Sequence, residues 1–146
     1  MIIIEKSDGI ILTDAIIAII ILMIFLSIIS TVSYSIYIAA NFTKRNSKAT
    51  DYGVKIIEYI DKTPYNDIDT NIIQYINSLD DKIQAKFSGD SSILNSPYKA
   101  IITIEKYKDM PGNSEKKDVI KNIKIEITYT LRNKEEKVTF ERIKTL

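Results

Sequence analysis

From Ala15 to Asn41 the chain carries no charged residue, and that run decides what it can fold into. Ala15 to Ser33 alone would span roughly 28 Å as a helix at about 1.5 Å per residue, close to a hydrocarbon core of about 30 Å. A secretory signal has a shorter apolar core of about 7–15 residues, followed by a small-residue cut. Here the nearest such cut, Ala39-Ala40-Asn41, lies well beyond that length. Residues 10–42 therefore read as a retained transmembrane helix, hydrophobic all round in its first half, and residues 1–9 as a short leader. Asp14 stands at the start of this helix. A carboxylate left unpaired at membrane depth costs roughly 2.5–3.5 kcal/mol, so it calls for a cation. The nearest would be a new α-amino group, created if the chain were cut after Gly9.

The 146 residues leave room for one membrane segment and one small soluble domain. Twenty basic residues against 19 acidic ones give a net charge of +1, and the two signs interleave through the C-terminal half. No field points to nucleic acid. With no cysteine there is neither a disulfide nor a thiolate metal site, and with no histidine the usual general base is missing as well. The expectation is a protein that is not an enzyme and needs no cofactor or metal, although a carboxylate pair or a Ser-Lys dyad stays open. Asp61, Asp67, Asp69, Asp80 and Asp81 fit no compact calcium loop and read as solvated surface. The Asn41-Phe42-Thr43 sequon is a triplet that arises often by chance. Tyr34, Tyr37, Tyr52, Tyr59 and Tyr65 suit a membrane interface or packing between helices better than stacking on a ligand.

Ser27, Thr31, Ser35 and Ala39 recur every four residues. They form a narrow stripe of low bulk that would let another helix approach; equally, the hydroxyls could bond back to their own helix. Beyond the span, Ala49, Gly53, Ile56, Ile57 and Ile60 share one helical face and Lys48, Asp51, Lys55 and Glu58 the other. This amphipathic half covers residues 43–61 and ends at Asp61-Lys62-Thr63-Pro64, where proline forbids the preceding residue a helical conformation. A single helix from Ile10 to Ile60 would run roughly 76 Å. A second helix is expected over Asp69–Lys86, with the stripe Ile72, Ile76, Leu79 and Ile83 and a cap from Asp69 or Thr70. Phe87–Pro97 reads as a loop. Three strands are expected over residues 98–145: Tyr98–Tyr107, Asn122–Leu131 and Lys137–Lys144, with polar loops at Asp109–Asp118 and Arg132–Glu136 and Ile143 out of phase. The fold class is α+β: a long N-terminal helix, half membrane and half amphipathic, over a small three-stranded antiparallel sheet with one extra helix, the head domain being residues 43–146.

Gly9, then Ile10, then Asp14 as fifth residue after the glycine, followed by the long apolar helix, resembles the N-terminus of type IV prepilins and their pseudopilin relatives. The family pattern is a glycine at the cut, an aromatic residue next and a glutamate fifth, so Ile10 and Asp14 are departures. The resemblance implies a prepilin peptidase cutting between Gly9 and Ile10 and methylating the new amine. It also implies that Asp14 neutralises the amine of a neighbouring subunit in a filament core. Ile123–Leu131 and Val138–Thr145 look like the C-terminal hairpin of minor pilins and minor pseudopilins, which points to a minor subunit. The partners implied are other pilin or pseudopilin subunits, the peptidase, an inner-membrane platform protein and the membrane. The location implied is the cell membrane as a single-pass protein, then an extracellular filament or pseudopilus.

A second expectation comes from charge. Near the span, Lys6 stands on the N-terminal side and Lys44, Arg45 and Lys48 on the other, a balance that favours a cytoplasmic head. The alternative is a signal-anchored membrane protein, its domain on either side of the membrane, with a small α+β ligand- or adhesin-type binding domain and no filament role.

Overall fold

A computed structural model describes residues 5–108 and 118–146, and the side chains of residues 12–106 and 120–146. The chain divides into two compact units, Met1–Phe42 and Thr43–Leu146. Helix α1, Glu5–Lys62, contributes to both. In the first unit every side chain from Leu12 to Tyr37 is exposed. Among the described residues α1 is the one helix long and apolar enough to cross a membrane, with a mean hydropathy of 3.0 in its most apolar 18-residue window and none of that window buried. Such a surface cannot be left in water.

The second unit has its own core. Residues 43–62 of α1 bury Ala49, Tyr52, Ile56 and Ile60, three or four apart as one helical face requires. Gly53 on that face is buried too. Helix α2, Ile68–Leu79, adds Ile72 and Ile76. Both helices cover one face of a four-stranded sheet in the order β1-β2-β3-β4. The strands are β1 Ile83–Phe87, β2 Tyr98–Lys108, β3 Asp118–Leu131 and β4 Lys134–Thr145. Ala100, Ile102, Ile123, Ile125 and Ile127 are fully buried on the helix side, while Lys124, Glu126 and Lys137 form an ion-paired row on the other.

The α+β class and the long N-terminal helix stand; the sheet differs from the expectation in strand number and direction. β1 is an additional strand and runs parallel to β2, whereas β2, β3 and β4 are antiparallel. It occupies the end of the segment expected to be helical, because α2 stops at Leu79. Asp80 is extended there (φ −165°, ψ 148°), and its carboxylate accepts from Tyr52 Oη, Lys48 Nζ and the Lys82 backbone N–H. Ile83 is buried as its place in the stripe implied, but on a strand, paired with Tyr98. The expected cap also differs: Asp67 holds the N-cap position and makes no side-chain cap.

Residues 88–97 connect the parallel pair as the expected loop. Lys86 Nζ holds it by donating to the carbonyls of Asp90 and Ser92 at 2.8 Å each, and Gln84 Oε1 accepts from Asn95 N–H. The polar loop placed at Asp109–Asp118 lies outside the described residues except for Asp118, which begins β3. The other loop shrinks to two residues. Arg132 (φ 52°) and Asn133 (φ 62°) make the tight left-handed turn whose twist suits a hairpin. Ile143 pairs with Asn122 in unbroken register on the outer face, two residues before β4 ends, so its place out of phase marks no bulge.

Candidate functional site

Gly9 and Ile10 fall within the backbone of α1, in its first turns, and their side chains are outside the described set. Asp14 is exposed one turn further on. Among the described residues, no cation lies within ion-pairing distance of it. The described part of the chain therefore brings no cation to Asp14.

The hydroxyl stripe is internally satisfied. Ser27 Oγ donates to the Ile24 carbonyl at 2.8 Å, Thr31 Oγ1 to the Ser27 carbonyl at 2.9 Å, and Ser35 Oγ to the Thr31 carbonyl at 2.9 Å. The local bonding that the sequence allowed is therefore present. It leaves a face of small groups with no unmet donor, which an apolar surround tolerates.

Three separate groups of titratable residues act as staples in the second unit. At the C-terminal end of α2, Asp80 lies 2.9 Å from Lys48 Nζ and 2.7 Å from Tyr52 Oη. Contacts with Asp81, Lys48 and Tyr52 hold the Asp80 carboxyl well below the usual range. Asp81 is raised by the same neighbour. Burial, then the hydrogen bond to Asp80, pushes the Tyr52 hydroxyl up to about 12. At the other end of α2, Asp69 lies 2.6 Å from Lys106 Nζ and 2.8 Å from Lys121 Nζ. Lys121 is buried on the sheet's helix side; it also donates to the Tyr65 carbonyl at 2.6 Å and sits 4.1 Å from the Tyr65 ring centre. The third staple closes α1. Arg142 grips Asp61 with two bonds of 2.7 and 2.8 Å, and Lys144 Nζ donates to the carbonyls of Ile60 and Asp61. Cations at a helix C-terminus satisfy its last carbonyls and its dipole.

Thus Asp61, Asp69 and Asp80 each face basic groups and lie in different places, and among the described residues no three potential metal ligands gather. The tyrosines divide. Tyr34 and Tyr37 are exposed on the apolar helix. Tyr52 packs edge-on against Tyr98 at 5.3 Å, and Tyr59 stacks on Tyr75 at 3.9 Å, so these two serve packing. Sequence reasoning missed Lys121, although the alternation that placed Ile123, Ile125 and Ile127 inward puts Lys121 in phase with them. It also missed the staples of Asp80 and Arg142, whose partners are distant in sequence.

No family model matches this chain, and neither a curated protein nor a solved structure does. Fold and site define an α+β protein whose long N-terminal helix is compatible with a single-pass membrane anchor.

Proposed function

We propose that the chain is a structural subunit, of the minor kind, of a type IV pilus or related pseudopilus, anchored in the membrane and assembled through α1. The observation that carries this reading is the helix itself. Its apolar half is exposed on every side, and its amphipathic half is built into the core of a small α+β domain. A helix shared in this way can be stored in lipid and later bundled with copies of itself. The local pattern of Gly9, Ile10 and Asp14 supports the same reading through its resemblance to prepilins. Among the described residues no cation reaches Asp14, and cleavage after Gly9 supplies one on each neighbouring subunit.

Mass spectrometry of the mature N-terminus tests the proposal in a cell that carries a prepilin peptidase. The expected chain begins at Ile10 and carries an N-methyl group; an intact Met1 start there would sink the filament reading. A second reading is favoured by the cations Lys44, Arg45 and Lys48 just past the apolar run: a signal-anchored membrane protein with a cytoplasmic head. Protease shaving of intact cells separates the two, since the filament subunit loses its head and the cytoplasmic form keeps it.

A further inference from the structure

We infer that the β3–β4 turn and the first residues of the second unit form a basic collar that binds anionic lipid headgroups. The inference rests on the membrane span alone and holds with or without a filament role. The second unit begins at Thr43. Lys44 and Arg45 are the first charges after the apolar run, so they stand where the chain leaves the bilayer. The aromatic residues Tyr34 and Tyr37 precede them, in the order expected of an interfacial belt followed by headgroup contacts.

The fold brings the hairpin turn to this same end of the unit. Arg45 Nη1 donates to the Thr130 carbonyl, and Tyr129 Oη donates to Asn46 Oδ1 at 3.3 Å. The turn starts just beyond, closed by the Leu131–Lys134 pair. Lys44, Arg45, Arg132 and Lys134 are all exposed. Two acids follow in β4, Glu135 at 3.9 Å from Lys99 and Glu136 half-buried opposite Tyr129, and the four exposed cations outnumber them.

The turn's own chemistry points the same way. Both central residues have positive φ, a conformation that favours Asn, Asp or Gly. Asn133 obeys that preference and Arg132 does not. Arg132 thus adds an exposed positive charge at a turn position ill-suited to arginine, next to Lys134 in the hairpin and at the end of the unit where Arg45 meets Thr130. Anionic headgroups fit such a cluster because basic residues close to a charged bilayer gain attraction that fades within a Debye length of about 10 Å.

The test uses the full chain in nanodiscs of neutral phosphatidylcholine, with or without about one-third phosphatidylglycerol, after flotation has shown insertion in both. Acylation rates of single lysines are read by mass spectrometry. Lys44 and Lys134 are expected to react about fivefold more slowly in the anionic discs and to recover in high salt. Lys62, roughly 27 Å along the helix from Lys44, serves as the unaffected control. Arg132→Asn suits the left-handed turn and removes one charge, so the protection of Lys134 should fall by about half. Equal lysine rates in the two discs, or undiminished protection in Arg132→Asn, would overturn the inference. Failure of flotation would instead remove the span on which it rests.

Discussion

Gly53→Ala is expected to destabilise the unit formed by residues 43–146 by about 1–2 kcal/mol, even though alanine is the better helix former by about 1 kcal/mol. A Cβ built at Gly53 would stand 2.0 Å from Phe140 Cε2, 2.3 Å from Cζ and 2.6 Å from Cδ2. No real contact is that short, so either α1 lifts from β4 or the ring leaves. Phe140 is half-buried on β4, opposite Ile125, and the ring is the softer partner. Its departure forfeits much of the roughly 1.5–3 kcal/mol that a buried phenylalanine contributes. The helix-propensity gain offsets only part of that loss. The decisive comparison is a double-mutant cycle read by urea denaturation of the full chain in detergent. With Phe140→Ala already in place the clash is gone, and Gly53→Ala should become neutral or stabilising. An equal cost in both backgrounds would show that ring contact is not why this position is glycine.

The parts of the fold that were legible are those set by local period. An uncharged run of this length leaves few options for residues 15–41, and the alternation of Ile123, Ile125 and Ile127 against Lys124 and Glu126 marks β3 without reference to anything else. β1 was illegible for a physical reason. Ile72, Ile76, Leu79 and Ile83 continue one helical stripe, yet the helix is stopped by Asp80, whose carboxylate serves Tyr52 and Lys48, 28 and 32 residues earlier. Burial of Ile83 was foreseen correctly on the wrong kind of element, because helix and strand bury it against the same core. The parallel pairing of β1 with β2 depends on loop 88–97 being tied down by Lys86 and Gln84, again a contact and not a pattern. The amphipathic half of α1 was legible in its inward face, with Tyr52 joining Ala49, Ile56 and Ile60. As for the candidate site, Asp14 is legible only as a local pattern. On the proposed filament reading the cation it calls for belongs to another copy of the chain, and no contact among the described residues encodes it.

Lys121→Ala is expected to cost about 2–3 kcal/mol at neutral pH, and the manner of the loss distinguishes a staple from a chance contact. Removing one partner of a buried ion pair costs roughly 3–5 kcal/mol where nothing replaces it. Asp69 keeps Lys106 at 2.6 Å, which moderates the figure. The Tyr65 carbonyl loses its 2.6 Å donor and the Tyr65 ring its cation, which adds to it. Lys121→Met fills the space and avoids the cavity, so its cost should be smaller, about 1–2 kcal/mol. The pH dependence follows from Asp69. Burial pushes its carboxyl up, but hydrogen bonds from Lys106 and Lys121 outweigh this and hold it below its ordinary value. A carboxyl depressed on folding contributes stability that is fully present above the unfolded value of about 3.9 and is lost as pH falls through the folded one. The wild-type chain should therefore weaken below about pH 4. Lys121→Met, with less depression to lose, should weaken less, so the gap between the two must narrow on acidification. Hydrogen exchange should locate the acid effect in α2, since Asp69 at its start and Asp80 at its end are both held below the normal carboxylate range. Urea midpoints at about pH 7 and about pH 3.5 for the two chains decide the matter: a gap that is constant or widens in acid means that Lys121 stabilises through packing alone and that the Asp69 charge plays no part.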